Sequence, residues 1–306
     1  MHRHGAASDP DDSRGLAARV DPLVTATGGP TARPGPTDVP RPPELSSPAW
    51  RSSPTGLAGR TGRLYAGTSG FAYPGWVPRF YAPGKASRKL LVAYAARLPA
   101  VELHNTFQRR PNEQQIAKWL GETGAEFRFC PKAQRSTSWR AWSEADPSQS
   151  IRWLTDALAG FGARLGCVLL SLRGSLERDD DRLERLLDAW PADVPLALEL
   201  LHPSWLAAEV HARAQAHRVT LVATDLEGRD EPTLRAGPVV YLRLRRSTYP
   251  ADDLERWSKR LVPFLRGGSD AYVFFRHDDD GSMALNAEAL LARVGELMAS
   301  RHIEGS

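Results

Sequence analysis

The sequence predicts an α/β fold, a single TIM-type (β/α)8 barrel, and three observations carry this prediction. Eight short runs of β-branched, aromatic and other apolar residues recur between residues 63 and 276. Most of these runs are continuously apolar, which is typical of parallel strands covered on both faces. Amphipathic helical stretches lie between most of the runs, and eight strands with helices in the 240 residues from 63 to 302 fit the length of such a barrel.

The first 62 residues differ in composition from the rest of the chain. Ten of the 24 prolines fall before residue 55, and Trp50 is the only aromatic residue in this segment. Such a segment cannot bury enough apolar surface to offset the entropy lost when it is ordered. We therefore predict a disordered tail over residues 1–62 and a barrel domain over residues 63–302.

The predicted strands are spaced widely enough for a helix to follow each one. They cover residues 63–67, 100–103, 127–131, 167–172, 196–200, 219–223, 239–244 and 271–276. An open doubly wound sheet is the competing architecture. That fold usually carries a glycine-rich phosphate turn after its first strand, and the chain contains neither GxGxxG nor GxxxxGK[ST]. The barrel is therefore favoured.

Caps and apolar stripes predict six helices between the strands. Asn112 caps the first helix, Asp146-Pro147 opens the second, and an apolar stripe over 183–190 marks the third. Ser204 caps the fourth helix, an apolar stripe over 254–264 after Asp252 marks the fifth, and Asn286 begins the sixth. The connection over residues 224–238 shows no clear helical pattern.

Polar side chains lie at or just past the end of each predicted strand. In a barrel these ends share one mouth, where the loops carry the chemistry. The set comprises Thr68, Ser69, Glu102, His104, Asn105, Lys132, Ser171, Arg173, Glu199, His202, Thr224, Asp225, Arg243, Arg245, Arg276, His277 and Asp278. Barrel rims are polar in any case, so part of this set is expected to be solvated or structural.

Three members of the set are candidates for catalysis. Glu102 and Glu199 lie within or at the end of apolar strands, where an unpaired carboxylate is costly. Lys132 is one of five lysines against 35 arginines, a bias that favours a role for its titratable amine. A Lys–Glu pair in a barrel mouth could transfer protons or bind an anion. The competing interpretation is an ion pair that ties strands together.

The aromatic cluster of the first loop and the metal-ligand types are weaker signals. Phe71, Tyr73, Trp76, Arg79, Phe80 and Tyr81 could form a lid or stacking platform, or simply pack on the barrel. His104, His202, His277, Asp225 and Asp278 show no tight ligand spacing such as HExxH. We predict no metal site and no cofactor.

Composition excludes several classes of protein. No apolar run approaches the ~18 residues of a membrane span, and no signal segment is visible, so no membrane partner is predicted. Cys130 and Cys167 make neither a disulfide framework nor a metal quartet, and a cytoplasmic location is predicted. The net charge of +4 is too weak to imply nucleic-acid binding by itself.

Several motifs occur together in the order found in one known family. They are GTSGFAY at 67–73, VELHNTF at 101–107, FRFCPK at 127–132, Glu199 with HPSW at 202–205, YLRL at 241–244 and Asn286-Ala287. From about residue 64 to 298 the chain resembles the YecE-like family, also called the domain of unknown function 72 family. The resemblance implies a TIM-type barrel and names no reaction.

The chain departs from that family's pattern at the mouth. The family usually has histidine where Ser138 and Arg245 stand, and arginine where Leu201 stands. The residues at the ends of the fourth and eighth strands, at 171–174 and 276–277, also differ from those that the family usually has there. The chain is thus a divergent member, in which either the ligand has changed or an ancestral activity has been lost.

These observations predict binding of an anionic, phosphate-bearing small molecule or nucleotide at the mouth. Glu102, Lys132 and Glu199 are the predicted catalytic residues. The residues predicted to contact the ligand are Ser69, Asn105, His202, Asp225, Arg243, Arg245 and Asn286. Acid–base chemistry of the hydrolase or lyase type, a nucleic-acid-binding module and a degenerate non-catalytic paralogue stay open as alternatives, and no oligomeric state is predicted.

Overall fold

The computed structural model describes residues 60–84 and 89–300, which alternate parallel strands with helices. The strands are β1 Leu64–Thr68, β2 Ala100–Leu103, β3 Arg128–Pro131, β4 Val168–Ser171, β5 Leu196–Glu199, β6 Thr220–Leu221, β7 Ala223–Asp225, β8 Val240–Leu244 and β9 Ala271–Phe275. The helices are α1 Leu90–Ala95, α2 Glu113–Gly121, α3 Arg135–Ser143, α4 Ser148–Leu158, α5 Asp180–Ala189, α6 Ala208–Ala216, α7 Ala251–Arg266 and α8 Ser282–Ala299. The predicted tail lies, apart from residues 60–62, outside the described residues.

All strand pairs are parallel, which confirms the predicted α/β class. The strands pair in the orders β1-β9-β8-β7, β2-β3 and β4-β5-β6. Isolated parallel bridges, Ser69–Glu102 and Lys132–Leu169, connect β1 to β2 and β3 to β4. The predicted sixth strand is two short strands, β6 and β7, separated by Val222, whose N–H donates to the carbonyl of Leu198 at 3.0 Å.

The strands are buried on both faces, as their continuous apolar runs predict. Side chains of one parity form an inner cluster that includes Tyr65, Cys130, Leu169, Tyr241 and Phe274. Side chains of the other parity pack against the helices in a larger cluster. Since successive strand residues point to opposite faces, each strand except the short β6 and β7 contributes to both clusters.

Gly67 allows β1 to approach β2 closely. A Cβ at this position would lie 2.0 Å from the carbonyl oxygen of Ala100 and 2.7 Å from the hydroxyl of Tyr94. Tyr94 donates to that same carbonyl at 2.9 Å and accepts from the N–H of Thr68 at 2.8 Å. The strand contact therefore needs a residue without a side chain.

Several predicted helix starts are confirmed, and two are wrong. The side chain of Asn112 caps α2 by accepting from the N–H of Gln115 at 2.8 Å. Ser204 does not cap α6, which begins at Ala208. Its Oγ instead accepts from the N–H of Arg178 at 2.7 Å.

The last helix begins four residues before Asn286, which lies inside it. Both carboxylate oxygens of Asp278 cap α8, accepting from the N–H groups of Gly281 at 2.9 Å and Met283 at 2.8 Å. Helices α1 and α3 carry no pattern that the sequence prediction used. Among the described residues, no helix is both long and apolar enough to cross a membrane.

Candidate functional site

Arg243 joins the three sheets at the C-terminal ends of their strands. It lies on β8, its side chain is 5% exposed, and it contacts Glu102 of β2 and Glu199 of β5. Its Nε and Nη2 donate to the two oxygens of Glu102 at 3.0 and 2.9 Å. Its Nη1 lies 2.8 Å from both oxygens of Glu199. The glutamate side chains are 0% and 1% exposed, so this ion-pair network is buried.

Glu102 accepts hydrogen bonds from two residues of β8 and from the residue that follows β1. Besides the two bonds from Arg243, it accepts from Ser69 Oγ at 2.7 Å and from the hydroxyl of Tyr241 at 3.1 Å. Ser69 follows β1, and Tyr241 precedes Arg243 by two residues on β8, so both point to the inner face. Tyr241 is a member of the site that the sequence analysis missed, because it reads as an ordinary apolar strand residue.

Glu199 is enclosed in the same way by residues of β4 and β7. It accepts from Ser171 Oγ at 2.5 Å and from Thr224 Oγ1 at 2.6 Å, besides the two contacts with Arg243. A carboxylate offers about four acceptor positions. Both Glu102 and Glu199 accept four hydrogen bonds within the protein, which leaves neither an open position for a substrate proton.

Charge rather than burial decides the protonation state of the two carboxylates. Burial alone would raise the pKa of Glu199, but the charge of Arg243, its hydrogen bonds and the charge of Lys132 lower it to about 2. Burial likewise opposes ionisation of Glu102, and the charges of Arg243 and Arg245 lower its pKa below 4.5. Both groups are therefore carboxylates at neutral pH.

Lys132 and Arg245 lie beside this network. Lys132 is 3% exposed, and its ammonium lies 4.4 Å from the ring centroid of Phe107. Arg245 is half-buried, and its Nη1 donates to Ser69 Oγ at 3.0 Å. Of the predicted site residues, the structure thus brings together Ser69, Glu102, Lys132, Glu199, Arg243 and Arg245.

The remaining predicted ligand contacts lie outside this network. Asp225 binds Arg246 Nε at 2.9 Å, and Arg246 also pairs with Asp253. His202 caps the 3-10 helix Pro203–Trp205, with its Nδ1 2.9 Å from Ser204 Oγ. Asn105 is exposed at the start of the 3-10 helix Asn105–Phe107. Asn286 contacts Met283 Sδ at 3.7 Å within α8.

Most aromatic residues of the first loop are buried in the protein and do not form an exposed stacking surface. Trp76, Phe80 and Tyr81 are at most 3% exposed, and the Trp76 indole N–H donates to the carbonyl of Asp278 at 2.8 Å. Phe71 and Tyr73 are the exceptions, because both are half-buried. Tyr73 stacks on His277 at 5.0 Å between ring centroids.

Cavities and a group of possible metal ligands also occur in the described part of the chain. A cavity of about 190 Å³ is lined by Ser247, Arg276, His277, Asp278 and Asp279, all past strand ends. A smaller cavity of about 20 Å³ lies around Cys167, Trp190 and Val219. Glu184, Asp188 and His217 have their ligand atoms within 4.8 Å of one another, and Arg213 already pairs with Glu184 at 2.7 Å.

The fold and the site define an α/β protein of parallel strands with a charged network at their C-terminal ends. Residues 65–304 match the model of a family described as protein of unknown function DUF72, and the chain belongs to this family.

The curated relatives carry names of the same kind. The chain is 24% identical over 273 residues to UPF0759 protein YunF of Bacillus subtilis, an alignment that covers 74% of this chain and 93% of YunF. It is 25% identical over 145 residues to UPF0759 protein YecE of Escherichia coli K12, covering 47% of this chain and 50% of YecE.

Solved structures of family members share the fold. A DUF72 family protein from Thermotoga maritima superposes with a TM-score of 0.67 at 23% identity, covering 76% of this chain and 99% of that one. A DUF72 family protein from Enterococcus faecalis gives 0.60 at 17% identity, covering 77% and 98%. At these identities the likeness shows the fold alone.

Proposed function

We propose that the parallel strands close into an eight-stranded TIM-type barrel whose C-terminal mouth binds an anionic, phosphate-bearing small molecule. The bridges Ser69–Glu102 and Lys132–Leu169 support closure, because they connect the edges of separate sheets. The hydrogen bonds of Arg243 to Glu102 and Glu199 support it further, since they span all three sheets. In a closed barrel with this strand direction, the loops after the strands form the binding face.

The observation that carries the proposal is the charge balance around Arg243. Arg243 neutralises one of its two carboxylate partners, which leaves the buried network with a charge of −1. Lys132 and Arg245 lie beside the network and change that charge to +1. Because these groups are wholly or half buried, they are screened by solvent less than surface charges are. A phosphate at the mouth would therefore meet a net positive field.

Binding is better supported than acid–base catalysis by the glutamates. A general acid must hold a proton at the working pH, and the lowered pKa values of Glu102 and Glu199 leave both deprotonated. A general base needs an open acceptor position, and both carboxylates use theirs on protein donors. In this proposal the ion-pair network of Arg243, Glu102 and Glu199 forms the base of the binding site, and Lys132 and Arg245 hold the ligand.

Calorimetric titration with inorganic phosphate at low ionic strength tests the proposal. The wild-type chain should bind phosphate, and added salt should weaken the binding. Arg245→Gln should weaken it about tenfold, the scale of one charge-assisted contact of about 1.4 kcal/mol. Arg185→Gln makes the same charge change at an exposed position of α5 and should leave affinity unchanged. Absence of phosphate binding by the wild-type chain would overturn the proposal.

A further inference from the structure

The first turn of α3 carries three buried polar atoms with no hydrogen-bond partner among the described residues. They are Gln134 Oε1, Thr137 Oγ1 and Ser138 Oγ. Thr137 is 1% exposed and Ser138 is 5% exposed. A buried hydroxyl or amide oxygen without a partner costs free energy, and folded proteins satisfy the great majority of such groups. Three of them in five consecutive residues indicate a missing partner.

The three atoms share one face of the helix. Residues 134, 137 and 138 are spaced i, i+3 and i+4, which places their side chains together. Trp142 continues this face by one turn and packs edge-on against Trp205, with 5.7 Å between ring centroids. Trp205 ends the 3-10 helix that follows β5, the strand that ends at Glu199. The face therefore lies beside the loop that follows β5.

The helix start adds a favourable field at the same place. Helix α3 begins four residues after the end of β3, and Lys132 lies between them. The first N–H groups of a helix have no partner within the helix, and they make this end positive. Gln134 stands at the N-cap position without a capping hydrogen bond from its side chain. The first turn of α3 is thus polar, positive and incompletely hydrogen-bonded.

An exposed aromatic ring borders this turn. Trp139 is 46% exposed, although large apolar side chains in this protein are mostly buried. The guanidinium of Arg173, which follows β4, lies 5.6 Å from the centroid of its ring. A solvent-facing indole beside unpaired hydroxyls offers a flat surface against which a sugar ring or a base can stack.

We propose that the first turn of α3 binds the hydroxyl groups of a phosphorylated sugar whose phosphate lies against Lys132 and Arg245. This inference rests on the proposed function and names its ligand class. Gln134 Oε1 can only accept a hydrogen bond, whereas the two hydroxyls can donate or accept. Phosphate alone is chiefly an acceptor, so it cannot satisfy this set, while a sugar hydroxyl both donates and accepts. A free sugar phosphate and the ribose phosphate of a nucleotide share this chemistry.

Titration of the full chain with inorganic phosphate, ribose 5-phosphate and AMP tests the inference. Ribose 5-phosphate should bind about tenfold more tightly than phosphate, which corresponds to one or two well-made hydrogen bonds. Ser138→Ala should remove most of that advantage while phosphate affinity stays within about twofold. Thr137→Val should act in the same direction. Tighter binding of AMP than of ribose 5-phosphate, lost in Trp139→Ala, would identify the nucleotide source, and equal binding would identify the free sugar phosphate.

Controls separate binding from folding. Ser136→Ala makes the same change at an exposed position of the same turn and should leave all affinities unchanged. Because Ser138 Oγ has no protein partner to lose, Ser138→Ala should not lower the thermal midpoint. If phosphate binds and ribose 5-phosphate binds no more tightly, or if Ser138→Ala matches the wild type, this inference is wrong and the proposed function stands. If neither ligand binds, both fail.

Discussion

Arg243 Nη1 lies 2.8 Å from each carboxylate oxygen of Glu199, and this contact ties β8 to β5 at the C-terminal ends of the strands. The same guanidinium holds Glu102 of β2 through its other nitrogens. None of the three side chains is more than 5% exposed. Removing one member of such a group leaves charges that are buried and unpaired, so the network makes a strong prediction about stability.

Arg243→Met should destabilise the protein by about 3–5 kcal/mol, the cost found when one partner of a buried ion pair is removed. Methionine fills much of the volume of the aliphatic part of the arginine side chain, so little cavity should form. The loss of stability would therefore come mainly from the two carboxylates left without a positive partner. Urea unfolding followed by circular dichroism measures the change.

Arg185→Met on the exposed face of α5 is the matched control and should change stability by no more than about 0.5 kcal/mol. Equal stability of Arg243→Met and the wild type would show that the network contributes nothing to folding. That result would also contradict the role of the ion-pair network as the base of the proposed binding site.

Stability should fall as the pH is lowered from about 4.5 towards about 2. The pKa of Glu199 is 4.5 when unperturbed and about 2 in the folded protein. A lowered folded pKa stabilises the protein above the unperturbed value, and this contribution is lost as the pH falls through the folded value. The lowering corresponds to about 3 kcal/mol, and Glu102 acts in the same direction. The free energy of unfolding measured from pH 6 to pH 2 should show this slope.

Glu199→Gln cannot titrate, and its stability should depend less on pH over the same range. The comparison is informative even if the variant is less stable at pH 6, because it concerns the slope and not the absolute stability. Identical slopes for Glu199→Gln and the wild type would contradict the low pKa of this carboxyl.

Most of the strands could be predicted from the sequence because they are buried on both faces and read as apolar runs. Two helices could not. Helix α1 has six residues, and α3 reads RSTSWRAWS, which contains three serines and a threonine and has no apolar stripe. Residues of that kind favour caps and turns over helix interiors when taken alone. Contacts of α3 with neighbouring elements, such as Trp142 on Trp205, decide its conformation.

The sequence predicted which charged residues form the site, but not which of them form ion pairs with one another. Charged residues in apolar strands drew attention to Glu102, Glu199 and Arg243, because such residues need partners. The sequence suggested Lys132 as the partner of a glutamate, whereas Arg243 makes the direct contacts with both. Which strand ends face one another depends on how the strands pair across the fold, and strand positions along the chain do not contain that information.

Asn112→Ala should cost about 1 kcal/mol, because the Asn112 side chain caps α2 by accepting from the N–H of Gln115. Gln114→Ala, at an exposed position of the same first turn, removes no cap and should change stability by less than about 0.5 kcal/mol. Chemical unfolding of both variants measures the difference. A loss no larger than that of the control would show that solvent satisfies the helix end equally well.

The two cysteines should be inert in the folded protein. Cys130 and Cys167 are 0% and 1% exposed and belong to the inner cluster between the strands. Burial raises the pKa of the Cys167 thiol to about 12 and raises that of Cys130 well above its usual value. Because the thiolate is the reactive form, neither thiol should react with Ellman's reagent at pH 8 until the chain unfolds. Both should then react, since the sequence has two cysteines.

A Ser175→Cys variant, which places a thiol at an exposed position, is the control and should show one immediately reactive group. Rapid reaction of the wild-type protein under native conditions would show that the inner cluster opens far more readily than its burial implies.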